Sequence, residues 1–354
     1  MTRSLTFAGA TSAFQLLAAG LAFALHASIA VAQTAPDSTY RVVHEITLGG
    51  DGRWDYVTLD TVYHRLFIAR QTRVMVVDPN SGKLLGEIPG LDGAHGVALA
   101  YRTGHGFATS GHDGTVTMFD LRTLRVLRRT RAGDDADAIV YDPVSQRVVS
   151  LNGDANTASV IDPGSGRLLS TVALGGKPEF GVAAGDGRLY ANIEDSAQVV
   201  EIDPKASRVL RRWTLAPCEE PTGLAIDRVH HLLFSGCHNR LMAISDYRQG
   251  RLVAQAPIGG GVDGGAFDPS SQLAFTSNGD GTITVVHEDS PTRFHVVETV
   301  GTRRGARTMA LDERTHRIYT VTAAFGPTPA ATPDEPHPRP SLVPGTFALL
   351  VLER

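Results

Sequence analysis

The stretch SVIDPGSGRLL, residues 159–169, decides the fold because the chain repeats it. MVVDPNSGKLL stands at 75–85 and VEIDPKASRVL at 200–210. Aligned on the acid that closes each such strand, the positions are Asp78, Asp120, Asp162, Asp203, Asp246 and Glu288, with a further copy, FALLVLE, ending at Glu353. A spacing of about 42 residues is that of a β-propeller blade.

Each unit reads the same way. A small-residue strand (HGVALA, DAIVYD, TGLAID) leads through a turn to an alternating strand (RVVSLN, LLFSGC, RIYTVT). A polar turn then leads to the VVD-type strand, and Asp-Pro-x-Ser-Gly leads to a fourth strand. Period-two alternation bounded by Gly, Pro, Asp and Asn is strand chemistry. In the repeated turn Asp opens, Pro presets φ and Gly takes the left-handed backbone. Small residues such as Gly96, Ala98, Gly223 and Gly264 in the first strand suit the crowding at a propeller axis. YRVVHEITLGG (40–50) resembles a fourth strand with no partners before it, whereas the chain's end supplies three strands and no fourth. The expectation is an all-β, seven-bladed β-propeller over residues 40–354. It has four antiparallel strands per blade, and its N-terminal strand closes the last blade, removing an exposed edge.

On these motifs the chain resembles the YVTN-repeat, YncE-like propellers exported by bacteria, over essentially all of residues 40–354. The resemblance implies a seven-bladed fold and export; it names no activity, since one fold hosts many functions.

Residues 1–32 carry one charge, Arg3, an apolar run from Phe14 and an A-x-A pattern at 30–32. They read as a secretory signal peptide cleaved after Ala32, followed by a short leader over 33–39. No later stretch is long and apolar enough to span a membrane. The expected product is a periplasmic or secreted monomer. Lys and Arg number 33 against 37 Asp and Glu, with no basic run, so the charge gives no indication of nucleic-acid binding.

Alternating strand direction puts the entrance of every first strand and the second-to-third turn on one face, the top. His95, His112 and His238 fall there, whereas His64, His105, His230, His231 and His316 fall in bottom turns, where solvation is expected. Five residues before the end of each first strand stand Asp55, His95, Asp137, Phe180, Thr222, Asp263 and Arg307. With Glu179, these are expected to ring the channel mouth. The candidate ligand residues are Asp55, His95, Asp137, Glu179, Asp263 and Arg307. Asp55, His95, Asp137 and Asp263 are the candidate ligands of a divalent cation, for they offer three carboxylates and one imidazole. The alternative for the same residues is a hydrated mouth in which Arg307 pairs with its neighbours.

Cys218 and Cys237 bracket one hairpin and, in an oxidising compartment, are expected as a disulfide; free thiols, or a thiol metal site with His238, are the alternative. The insertion over 325–345 contains seven prolines and is expected to emerge on top, extended and stiff. No complete catalytic set is visible. The reading is a binding or scaffold propeller for a small ligand or a periplasmic protein. The alternative is a metal-dependent enzyme, a lactone or sugar-derivative hydrolase or an oxidoreductase.

Overall fold

A computed structural model describes residues 39–332 and 338–354. The expected signal peptide, its cleavage point and the middle of the proline-rich insertion lie outside them.

The described residues form an all-β propeller with no α-helix; the sole helical turn among them is a three-residue 3-10 segment at Glu194–Ser196. Five sheets have four antiparallel strands and one has six. The expectation of seven blades is therefore corrected to six. The cause lies in two long strands. With β1 at Arg41–Thr47 and β2 at Val57–Asp60, β3 runs over Arg65–Val77 and β4 over Leu84–Ala100. β3 lies within the unit ending at Asp78, and β4 runs on from that unit into the one ending at Asp120, so the two merge into one sheet, with bends at Gln71 (φ 47°), Gly90 and Gly93 inside otherwise extended chain.

The repeated turns explain the repeated words. Asp78 Oδ1 accepts the backbone N–H of Asn80 at 3.0 Å and of Ser81 at 2.8 Å, and Gly82 follows at φ 67°. Asp162 accepts the N–H of Ser165 at 2.8 Å, with Gly166 at φ 69°. These hydrogen bonds hold both carboxyls below their ordinary range. The glycines of the first strands answer a different demand. A Cβ on Gly223 would lie 2.8 Å from the carbonyl carbon of Gly264 in the next sheet, so inner strands can approach only without side chains there.

β1 pairs antiparallel with Ala348–Glu353, from Arg41 against Glu353 to Thr47 against Ala348, with one register shift between Val42 and His44. That sheet continues through Arg317–Thr322 to Met309–Asp312. Tyr40, buried beside β1, packs edge-on against Phe275 of the neighbouring sheet and donates to the carbonyl of His316 at 3.1 Å. Apolar side chains pack between the sheets, as where Phe234 stacks on Phe267 with ring centres 5.1 Å apart. A single sheet cannot bury both faces, so each depends on its neighbours.

Candidate functional site

In five inner strands the register breaks at the top end. The breaks fall between Ala94 and Val97, Ala136 and Ile139, Pro178 and Gly181, Pro221 and Leu224, and Val262 and Gly264. The residues held in these breaks are His95, Asp137, Glu179 with Phe180, Thr222, and Asp263. A bulge re-aims a side chain that regular pleating would send into the sheet. The backbone groups it frees are taken by polar side chains from second strands. Thr109 Oγ1 accepts the N–H of Gly96 at 2.8 Å and donates to the Asp137 carbonyl. Asn192 Nδ2 donates to the Thr222 carbonyl at 2.9 Å, and Ser277 Oγ to the Arg307 carbonyl at 2.5 Å.

Asp55, His95, Asp137, Glu179, Asp263 and Arg307 all line one top-face cavity of about 640 Å³. That volume lies in the usual range of small-ligand sites. Thr222 is not in its wall, and Phe180 lies beneath, edge-on to Tyr56 at 5.2 Å, where a second cavity of about 150 Å³ begins. His95 Nδ1 contacts Asp55 Oδ2 and lies 3.4 Å from Asp137 Oδ1. Asp263 Oδ2 lies 3.0 Å from Arg307 Nε. Yet Asp137 Oδ1 and Asp263 Oδ2 are buried oxygens that receive no well-directed hydrogen bond. Nitrogen and oxygen donors of Asp55, His95 and Asp137 lie within 4.8 Å of one another. Asp263 is not part of that tight group.

Electrostatics follow from crowding. Burial, then Asp55, Asp135 and Asp263, pushes the Asp137 carboxyl well above its ordinary range. Burial, then Asp137 and Asp263, does the same to Glu179. Asp263 is pushed up to about 6 by burial against the opposing pull of Arg307. Burial works against a charged His95, but its hydrogen bond to Asp55 and the charge of that carboxylate outweigh it and raise the imidazole. Asp137, Glu179 and Asp263 are thus three crowded carboxyls whose surroundings favour a proton or a cation.

Several wall residues escape a sequence reading. Arg53, Arg304 and Arg339 join Arg307 around the cavity, and Trp54 and Phe325 add apolar wall. Their signal is faint: arginines in GRWDY and TRRGAR just before first strands, and Arg339 inside the proline-rich insertion. The insertion reaches the site through its ends. Phe325 bridges Leu342, and the Pro340 carbonyl accepts from Arg53 Nη2 at 2.9 Å. Arg70 was also invisible. Wholly buried over the Phe347 ring, it donates to the carbonyls of Gly49, Gly50, Asp51 and Gly52, fixing the loop that delivers Arg53–Asp55. Its signal was the Arg ending LFIAR, where the other units carry Ser, Asn, Ile, Cys or Thr.

Cys218 and Cys237 form a disulfide, Cα atoms 5.5 Å apart, which excludes the thiol metal site. His112 lines the cavity beside Asp92, whereas His238 stands outside it, paired with Glu220. The bottom histidines are all part-exposed, and two of them also meet buried carboxylates. His316 Nδ1 lies 2.6 Å from Asp268, and His230 sits against two buried carboxylates.

No family model matches this chain, and no curated protein does. Among solved structures it is similar to a chain titled Kuenenia stuttgartiensis Hydrazine Synthase, with 16% identity and a TM-score of 0.47, covering 66% of this chain and 95% of that one. At that level nothing about activity passes from one to the other.

Proposed function

We propose that this chain is an exported binding propeller of the YVTN-repeat, YncE-like kind that takes a small anionic ligand at its top-face mouth, with a divalent cation held by Asp55, His95 and Asp137. One observation carries the reading: the buried Asp137 oxygen without a hydrogen bond, grouped with Asp55 and His95 in the wall of a ligand-sized cavity. A buried carboxylate left unpaired is costly, and a cation removes that cost. The four arginines of the wall suit a carboxylate or phosphate on the ligand. The disulfide suits an oxidising compartment, and among the described residues no helix is long and apolar enough to cross a membrane.

A second reading, a metal-dependent hydrolase of lactones or sugar derivatives, draws on Glu179. Its carboxyl, raised well above its ordinary range by burial and by Asp137 in the same cavity, is shifted in the direction a general acid requires.

The test is calorimetric titration of chelator-treated protein with Mn²⁺ and Zn²⁺. The D55N/D137N double variant is expected to stay folded and to lose one cation. Identical binding by the variant refutes the site. Turnover of a lactone panel by cation-loaded protein, lost in E179Q, selects the enzyme; cation binding without turnover selects the binding protein.

A further inference from the structure

On the opposite face, at the seam between two neighbouring sheets, Asp227 ends the inner strand Pro221–Asp227 and His230 lies in the turn after it. Glu288 comes from the strand Thr282–Ser290 of the next sheet. His230 Nδ1 lies 2.8 Å from Asp227 Oδ2 and 2.7 Å from Glu288 Oε1. Asp227 is 2% exposed and Glu288 1%.

Two comparisons within the molecule make this group unusual. The first is charge. In two other inner hairpins the buried Asp meets a single basic side chain: Arg65 Nη2 lies 2.7 Å from Asp60, and His316 Nδ1 lies 2.6 Å from Asp268. Here two buried carboxylates share one imidazole. The second is hydrogen bonding. Glu288 occupies the repeat position of Asp78, Asp120, Asp162, Asp203 and Asp246. Those acids cap their own turns, as Asp120 does for Thr123 at 2.7 Å and Asp246 for Gln249 at 2.9 Å. Glu288, one methylene longer, caps nothing. Both of its carboxylate oxygens, and His230 Nδ1, are buried without a well-directed hydrogen bond. Asp227 keeps its turn bonds to the N–H groups of Val229 and His230.

We propose that Asp227, His230 and Glu288 form a second cation site, for a zinc-class divalent ion, that clips two neighbouring sheets together. Imidazole nitrogen and carboxylate oxygen are both zinc ligands, and imidazole favours this class over magnesium or calcium. The ion would balance the surplus carboxylate and supply the partner that Glu288 lacks. His230, about one third exposed on its side chain, leaves a way in from solvent and room for a water as fourth ligand. Because the donors come from two sheets, the ion would stabilise the ring without needing the top-face cavity.

The experiment uses the D55N/D137N protein, in which the mouth site is disabled, so the two sites are read separately. Calorimetric titration with Zn²⁺ is expected to show one remaining site and a rise in melting temperature on loading. E288Q added to that background is expected to abolish both. H230Q, at a position about one third exposed, gives the same readout should E288Q fold poorly. Cobalt(II) loading adds a visible absorption of four-coordinate type, also lost in E288Q. Zn²⁺ binding that persists in E288Q and H230Q overturns the proposal. So does the absence of binding together with a higher melting temperature in E288Q, for the two carboxylates would then simply share a proton.

Discussion

Replacing Asp263 with Asn is expected to make the protein more stable, although it removes an ion pair. Asp263 is 8% exposed, and its carboxyl is pushed up to about 6 from 3.8, chiefly by burial, even with Arg307 beside it. That displacement corresponds to about 3 kcal/mol, at roughly 1.4 kcal/mol per tenfold change in the ionisation constant. The sign follows from linkage. A carboxyl raised in the folded state binds its proton more tightly there, so ionising it opposes folding. The penalty is absent below the unfolded value of 3.8, grows between 3.8 and 6, and is complete above 6. Asn approximates the neutral carboxyl in shape and cannot ionise. D263N is therefore expected to match the wild type near pH 4 and to exceed it by about 2–3 kcal/mol at pH 7.5. The assay is denaturant unfolding of both proteins, freed of metal by chelator, at several pH values between 4 and 8. A variant that is equally or less stable at pH 7.5, with a difference independent of pH, would falsify the account and make Asp263 an ordinary partner of Arg307. An acid kept against stability is the mark of a site retained for binding.

Two further predictions concern the frame. Replacing Cys218 and Cys237 with Ser removes a link across a sequence separation of 19, worth about 3 kcal/mol on a chain-entropy account; unfolding under otherwise equal conditions reads the loss, and an unchanged midpoint contradicts it. Deleting residues 40–48 strips the Ala348–Glu353 strand of its outer partner and uncovers Phe275; light scattering and thermal melts are expected to show aggregation or a much lower midpoint, and a truncated chain that melts like the intact one counts against the closure.

What the sequence made legible was local chemistry. Asp-Pro-x-Ser-Gly specifies a turn wherever it occurs, and Gly at the inner strand marks a place where backbones touch. The number of sheets was not legible, because it depends on whether the chain breaks or merely bends. At Gln71 no Gly, Asp or Asn announces a turn, and at Gly90 and Gly93 the glycines permit a bend inside continuing strand. The mouth residues could be put on one face by counting, since strand alternation is arithmetic. Their inward aim comes from register breaks opposite Thr109, Asn192 and Ser277, and pairing partners lie in other parts of the chain. Arg70 was illegible for the same reason, as its carbonyl partners lie about twenty residues upstream. Glu288 differs from its repeat equivalents by one methylene, a change that reads as conservative until the neighbouring sheet is seen.

The pairing of β1 with Ala348–Glu353 sets a schedule for biosynthesis. The strand that completes the ring emerges from the ribosome about three hundred residues ahead of its partner, an interval of roughly 15 to 60 s at ordinary elongation rates. During that interval it has no edge to join, and the apolar face of Tyr40 has no Phe275 to cover it. A nascent chain in this state is a substrate for holding factors, and a pause late in translation lengthens its exposure. The last six residues to fold in are thus the ones that decide when the molecule stops being adhesive.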